Sequence, residues 1–129
     1  MMRVAFATKS LNRVDDHFGH ARTMAIYEVD QEGYRFLEYR NFEDIPDEEY
    51  DKINSKVEAI KDCTIVFVIA IGATAAARIV KAKIHPVKVN EPKPIEDILN
   101  ELVQALRTNP PPWLRKALYD SERKSGNNI

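Results

Sequence analysis

The run Thr64-Ile65-Val66-Phe67-Val68-Ile69-Ala70-Ile71 constrains the fold of this chain more than any other segment. It is β-branched and aromatic almost throughout and does not alternate with polar residues, so both of its faces must be buried. A strand of that kind sits inside a parallel sheet with helices on each side. Gly72 breaks the run, and the alanine-rich residues 74–83 predict a covering helix. Residues 84–89 predict a further short strand. Pro86 has no N–H for a ladder, so that strand belongs at a sheet edge.

Upstream, residues 3–8 alternate larger and smaller apolar side chains and give a first strand. Residues 24–29 and 34–39 give two more, joined through Asp30-Gln31-Glu32-Gly33 as an antiparallel hairpin. Pro46, Asp47 and Glu48 open a helix in which Tyr50, Ile53, Val57 and Ile60 recur at helical spacing. Pro92 and Pro94 turn the chain into another helix, with Ile95, Ile98, Leu99, Leu102 and Leu106 as its apolar stripe. Three prolines at 110–112 predict an extended stop, then a short amphipathic piece at 113–119 and disorder over 121–129. The order is β-β-β-α-β-α-β-α. Right-handed crossovers make the strands at 3–8, 64–71 and 84–89 parallel neighbours, with the hairpin on the other side. The expected fold is α/β, a ribonuclease H-like five-stranded mixed sheet with flanking helices. Residues 1–107 form its domain and 108–129 a proline-led tail.

Composition narrows the function. With 19 basic against 20 acidic residues the net charge is -1, which argues against binding to nucleic acid or a membrane surface. The single cysteine, Cys63, excludes an internal disulfide, and the N-terminus lacks the features of a secretory signal. The longest apolar run, 65–71, falls far short of the ~20 residues that span a bilayer. A cytoplasmic protein is expected.

In open α/β sheets, ligands bind beyond the carboxyl ends of the parallel strands, where successive connections leave in opposite directions. Here the first strand leads into the long irregular loop 9–22, and the strand at 64–71 leads into Gly72, Ala73 and Thr74. The two connections should converge. Within the loop stand Asp15-Asp16-His17-Phe18-Gly19-His20-Ala21. His17 and His20 can offer two imidazoles to one metal or cluster, and imidazole suits iron and other transition metals. Phe18 would anchor the loop and Gly19 would permit a tight turn. Gly72, Ala73 and Thr74 would present backbone N–H groups at a helix start, a natural anion site. Lys9, Arg13 and Arg22 could neutralise an anionic ligand. Spacing alone equally allows the aspartates to cap turns and the histidines to be merely exposed. Cys63 starts its strand at the opposite end of the sheet and reads as a buried, inert thiol. His85 reads as structural, and Met24 as core.

These segments resemble the dinitrogenase iron–molybdenum cofactor biosynthesis family. The likeness rests on three matches in order. The first is His17-Phe18-Gly19-His20-Ala21 between its two strands. The second is Phe67-Val68-Ile69-Ala70-Ile71-Gly72-Ala73-Thr74-Ala75-Ala76-Ala77-Arg78 with Lys83-Ile84-His85-Pro86-Val87-Lys88. The third is Asn109-Pro110-Pro111-Pro112-Trp113-Leu114-Arg115-Lys116-Ala117-Leu118, which resembles the tail of the NifX branch. Together they span residues 3 to about 119. The resemblance implies a monomeric ribonuclease H-like carrier, not an enzyme. It would hold the iron–molybdenum cofactor or its iron–sulfur precursor transiently, passing it from a cofactor maturase to a cofactor-assembly scaffold. The family histidine carries over onto His17. Some relatives have a cysteine in the glycine turn; Ile71-Gly72-Ala73 has none, which removes thiolate ligation there. Two rival readings remain: a divalent-metal sensor using Asp15, Asp16, His17 and His20, and a docking module using residues 113–119. A nuclease would need carboxylates on the central strands, and residues 3–8 and 64–71 carry none.

Overall fold

The structure, a computed structural model, describes residues 1–42 and 49–126. At its centre lies β1 (Met2–Ala7), in which every residue except Arg3 is buried. β3 (Thr23–Asp30) pairs antiparallel with one side of it, from Met2↔Val29 to Ala7↔Met24. β5 (Ile65–Val68) pairs parallel with the other, from Val4↔Ile65 to Phe6↔Phe67. β4 (Gly33–Asn41) closes the hairpin with β3, and β6 (His85–Lys88) runs parallel to β5, so the order is β4-β3-β1-β5-β6. All four residues of β5 are buried, as its unbroken apolar run requires. Pro86 lies on the outer strand, where its missing N–H disturbs no ladder.

Alternation along β1 divides the core. Val4 and Phe6 pack with Ile98, Leu99 and Leu102 of α3 (Ile95–Arg107) and with Leu114 and Ala117 of α4 (Pro112–Gly126). Ala5 and Ala7 face the other way, with Val66, Val68 and Met24. They meet Val57 of α1 (Glu49–Ala59) and Ala75 and Ile79 of α2 (Ala73–Lys81). Helices therefore cover both faces of the sheet, two on each. The long loop contributes a two-residue strand, β2 (Arg13–Val14), paired antiparallel with β7 (Lys93–Pro94).

β4 is irregular. Between Ile26↔Glu38 and Tyr27↔Phe36 the register slips by one residue, so Leu37 forms a β-bulge. Tyr34 and Phe36 contact Tyr27 edge-on, and Phe36 lies 4.8 Å from Tyr39, so all three aromatics share one side. Leu37 packs into the opposite layer.

The tail is a correction to the sequence reading. Pro112 does not extend a polyproline segment but starts α4, at a position where its missing N–H has no helical partner to lose. Pro111 O accepts the N–H groups of Leu114 and Arg115. The helix runs on through residues 121–126, expected to be disordered, because its contacts continue. Trp113 stacks on His85 at 4.8 Å, Ser121 Oγ donates to Met1 O (3.2 Å), and Lys124 Nζ donates to Cys63 O (2.7 Å). The expected helix start at Pro46-Asp47-Glu48 and the last three residues, 127–129, lie outside the described residues. Among the described residues no helix is long and apolar enough to cross a membrane.

Candidate functional site

The loop after β1 does not hang free. Val14, Phe18 and Ala21 are buried and fasten it to the body. Ile69 N–H donates to Asp16 O (3.0 Å) and Phe18 N–H to Ala70 O (2.9 Å), so residues 16–18 run alongside the continuation of β5. The two connections that topology sends to one spot are hydrogen-bonded to each other there. Ala21 N–H then donates to His17 O (2.9 Å), which closes a turn around Phe18 and Gly19. The imidazoles of His17 and His20 both project into solvent, their ring centres 5.4 Å apart.

Beside this turn is a cavity of about 420 Å³. Gly19 and His20 line it from the loop, Gly72, Ala73, Thr74 and Ala75 from the start of α2, and Lys52, Ile53 and Lys56 from α1. No side chain caps the start of α2, and the first N–H groups of a helix have no intrahelical acceptor. Two glycines bear on the cavity for a reason other than backbone freedom. Neither has a positive φ, and a Cβ added to either would meet nothing within 4 Å. The turn at Gly19 therefore uses no backbone conformation that only glycine adopts. What the two glycines provide is open volume.

The carboxylates of the loop serve its backbone. Asp15 Oδ1 accepts Lys9 N–H (2.8 Å) and Ser10 N–H (3.5 Å). Burial pushes its pKa upward, but these bonds outweigh that and hold the carboxyl below its ordinary value. Asp16 Oδ1 accepts His17 N–H (2.8 Å). Among the described residues no group of three or more His, Cys, Asp or Glu is placed to hold a metal ion.

Of the sequence-derived candidates, the structure brings His20, Gly72, Ala73 and Thr74 to the cavity wall, with His17 beside His20. Lys9, Arg13 and Arg22 are exposed on the loop and are not among the lining residues. Sequence reasoning missed Lys52 and Lys56. The signal was present: Lys56 stands three residues after Ile53 and four before Ile60, on the apolar side of α1. Its burial pulls the ammonium down to about 8, against an opposing pull from Asp16.

A cavity at the carboxyl ends of two parallel strands, walled by imidazole, lysine and a helix N-terminus, defines an α/β protein with a site suited to an anionic ligand. The family model described as "Dinitrogenase iron-molybdenum cofactor" matches residues 1–105, and the chain belongs to that family. It is 46% identical over 125 residues to Protein NifX of Herbaspirillum seropedicae, covering 95% of this chain and 86% of that one. It is 43% identical over 124 residues to Protein NifX of Sinorhizobium fredii, covering 91% and 78%. The crystal structure of PH0822 superposes with a TM-score of 0.65 over 87% of this chain and 97% of that one; at 24% identity this bears on the fold alone. Membership joins the chain to nitrogen fixation and the biosynthesis of the iron–molybdenum cofactor.

Proposed function

We propose that the protein is a non-enzymatic carrier. It binds the iron–molybdenum cofactor or its iron–sulfur precursor as transient cargo and escorts it from the maturase to the assembly scaffold, as a cytoplasmic monomer. The observation that carries this reading is the cavity beside the His17–His20 turn. Sulfide-bridged clusters are commonly anionic, and Lys52 and the N–H groups of α2 complement negative charge without forming bonds to iron. His17 and His20 are the ligands we assign. Two neutral imidazoles hold a cluster less tenaciously than a set of thiolates, which suits cargo that must be handed on. His20 already stands in the cavity wall, so its contribution should approach that of His17.

Residues 108–129 are assigned to the handover step. The outward surface of α4 is the surface proposed to meet the maturase or the scaffold.

Anaerobic titration of the protein with isolated precursor cluster, followed by absorbance and paramagnetic resonance, tests the assignment. Wild type should bind one cluster and develop a signal that is altered in His17→Ala and in His20→Ala. Stoichiometric, tightly held zinc in aerobically purified protein would instead support the sensor reading.

A further inference from the structure

Lys56 is only 4% exposed, although it lies on a surface helix. An ammonium loses strong hydration on burial, so it remains charged in such a position only against good acceptors. It finds two in the carbonyls of Phe18 (3.1 Å) and Gly19 (2.8 Å), and the ring of Phe42 lies 5.8 Å away. Both acceptors belong to the turn between His17 and His20, 37 and 38 residues earlier in the chain. Main-chain bonds from Phe18 N–H to Ala70 O and from Ala21 N–H to His17 O also hold the turn. Lys56 takes up the carbonyls of Phe18 and Gly19, and it reaches them from a different helix.

We propose that Lys56 is the positioning residue of the site: donating from α1 to the Phe18 and Gly19 carbonyls, it holds the turn in the conformation that presents both imidazoles beside the cavity. The role of those imidazoles as cargo ligands rests on the function proposed above; the positioning does not. Its bonds are to the two carbonyls between the rings, so it acts through the backbone between them.

Two readouts separate this from a general structural role. Lys56→Met keeps most of the side-chain length and removes the donors and the charge; Lys56→Gln keeps a shorter donor. In cargo-free protein, the nuclear Overhauser contact between the His17 and His20 rings should be strong in wild type, lost in Lys56→Met and partly restored in Lys56→Gln. Affinity for isolated precursor cluster should fall at least tenfold in Lys56→Met. The same substitution placed in His17→Ala/His20→Ala protein should leave the residual affinity unchanged, because residues acting as one unit do not add. The melting temperature should move by less than about 5 °C, since removing a costly buried charge offsets the two lost hydrogen bonds. An unchanged ring contact in folded Lys56→Met overturns the proposal, as does an equal loss of affinity in both backgrounds. If Lys56→Met does not fold, Lys56→Gln decides by the same two readouts. If no variant and not even wild type binds the cluster while the ring contact behaves as stated, the carrier reading falls and the positioning role stands.

Discussion

The two ends of the β1–β5 pair are held together by different means. At the amino end, charges meet charges. Asp62 accepts from Arg3 (2.8 Å) and Arg40 (2.6 Å), Glu28 pairs with Arg3 and Arg35, and Lys124 closes over the carbonyl of Cys63. At the carboxyl end the loop is held mainly by main-chain bonds and three buried apolar anchors, while two imidazoles stand in solvent beside a cavity. One end has its charges neutralised within the protein. The other keeps donors and ligating atoms turned outward. On the function proposed above, stability and ligand capture are segregated along one pair of strands, and changes at one end should leave the property of the other intact.

The strongest challenge to that division is removal of both imidazoles. His17→Ala/His20→Ala should weaken precursor-cluster binding at least about a hundredfold, ~2.7 kcal/mol, with little change in melting temperature. Parallel loss of fold and binding would erase the distinction between the ends. Asp62→Asn probes the opposite pole. It should cost about 1–2 kcal/mol of stability by leaving two guanidiniums short of their carboxylate, and leave cluster affinity unchanged. Burial pushes the Asp62 carboxyl upward, but hydrogen bonds from Arg40 and Arg3 prevail and hold it at about 2, below the ordinary 3.8. A depressed carboxyl stabilises the fold above the unfolded value, and that contribution disappears as pH falls from 3.8 toward about 2. Wild-type unfolding should therefore show an acid-sensitive limb in this window that Asp62→Asn lacks.

Gly72→Val is a subtler probe of the carboxyl end. Gly72 has φ -73° and ψ 157°, an extended conformation open to any residue, and an added Cβ would meet nothing within 4 Å. Cluster affinity should fall about fivefold, near 1 kcal/mol, with the thermal transition unmoved. Unchanged affinity would mean that cargo does not occupy this part of the cavity. The smallest effect belongs to Cys63. Its thiol is buried and pushed up to about 12, so thiolate is scarce at neutral pH. Native protein should resist iodoacetamide, and Cys63→Ala should leave cluster binding unaltered.

Much of this layout was legible in the sequence. The apolar run at 64–71 required a doubly covered strand, Pro86 required an edge, and the direction of the connections placed loop 9–22 beside Gly72. Phe18 read correctly as an anchor. Other parts were hidden for identifiable reasons. The amphipathic piece at 113–119 was legible, but its start at Pro112 was not, because three prolines resemble a terminator, whereas Pro112 occupies a first-turn position that tolerates it. The polar residues after Tyr119 concealed that the helix continues to Gly126. β2 and β7 are two residues each, too short for any periodicity to register. Lys56 escaped because a lysine suggests solvent, although its place between Ile53 and Ile60 put it on the inward side of α1.

The bulge at Leu37 bears on how this protein can meet others. β4 is an outer strand of nine residues carrying three exposed aromatics, the sort of border on which chains can polymerise. A residue out of step in its middle spoils the regular comb of donors and acceptors that an incoming strand would need. At the far border Pro86 withholds a donor. The sheet is therefore poorly suited to being extended from either margin, so recognition by other proteins is left to helices and loops, and crowding in the cell is less apt to turn the chain into fibres.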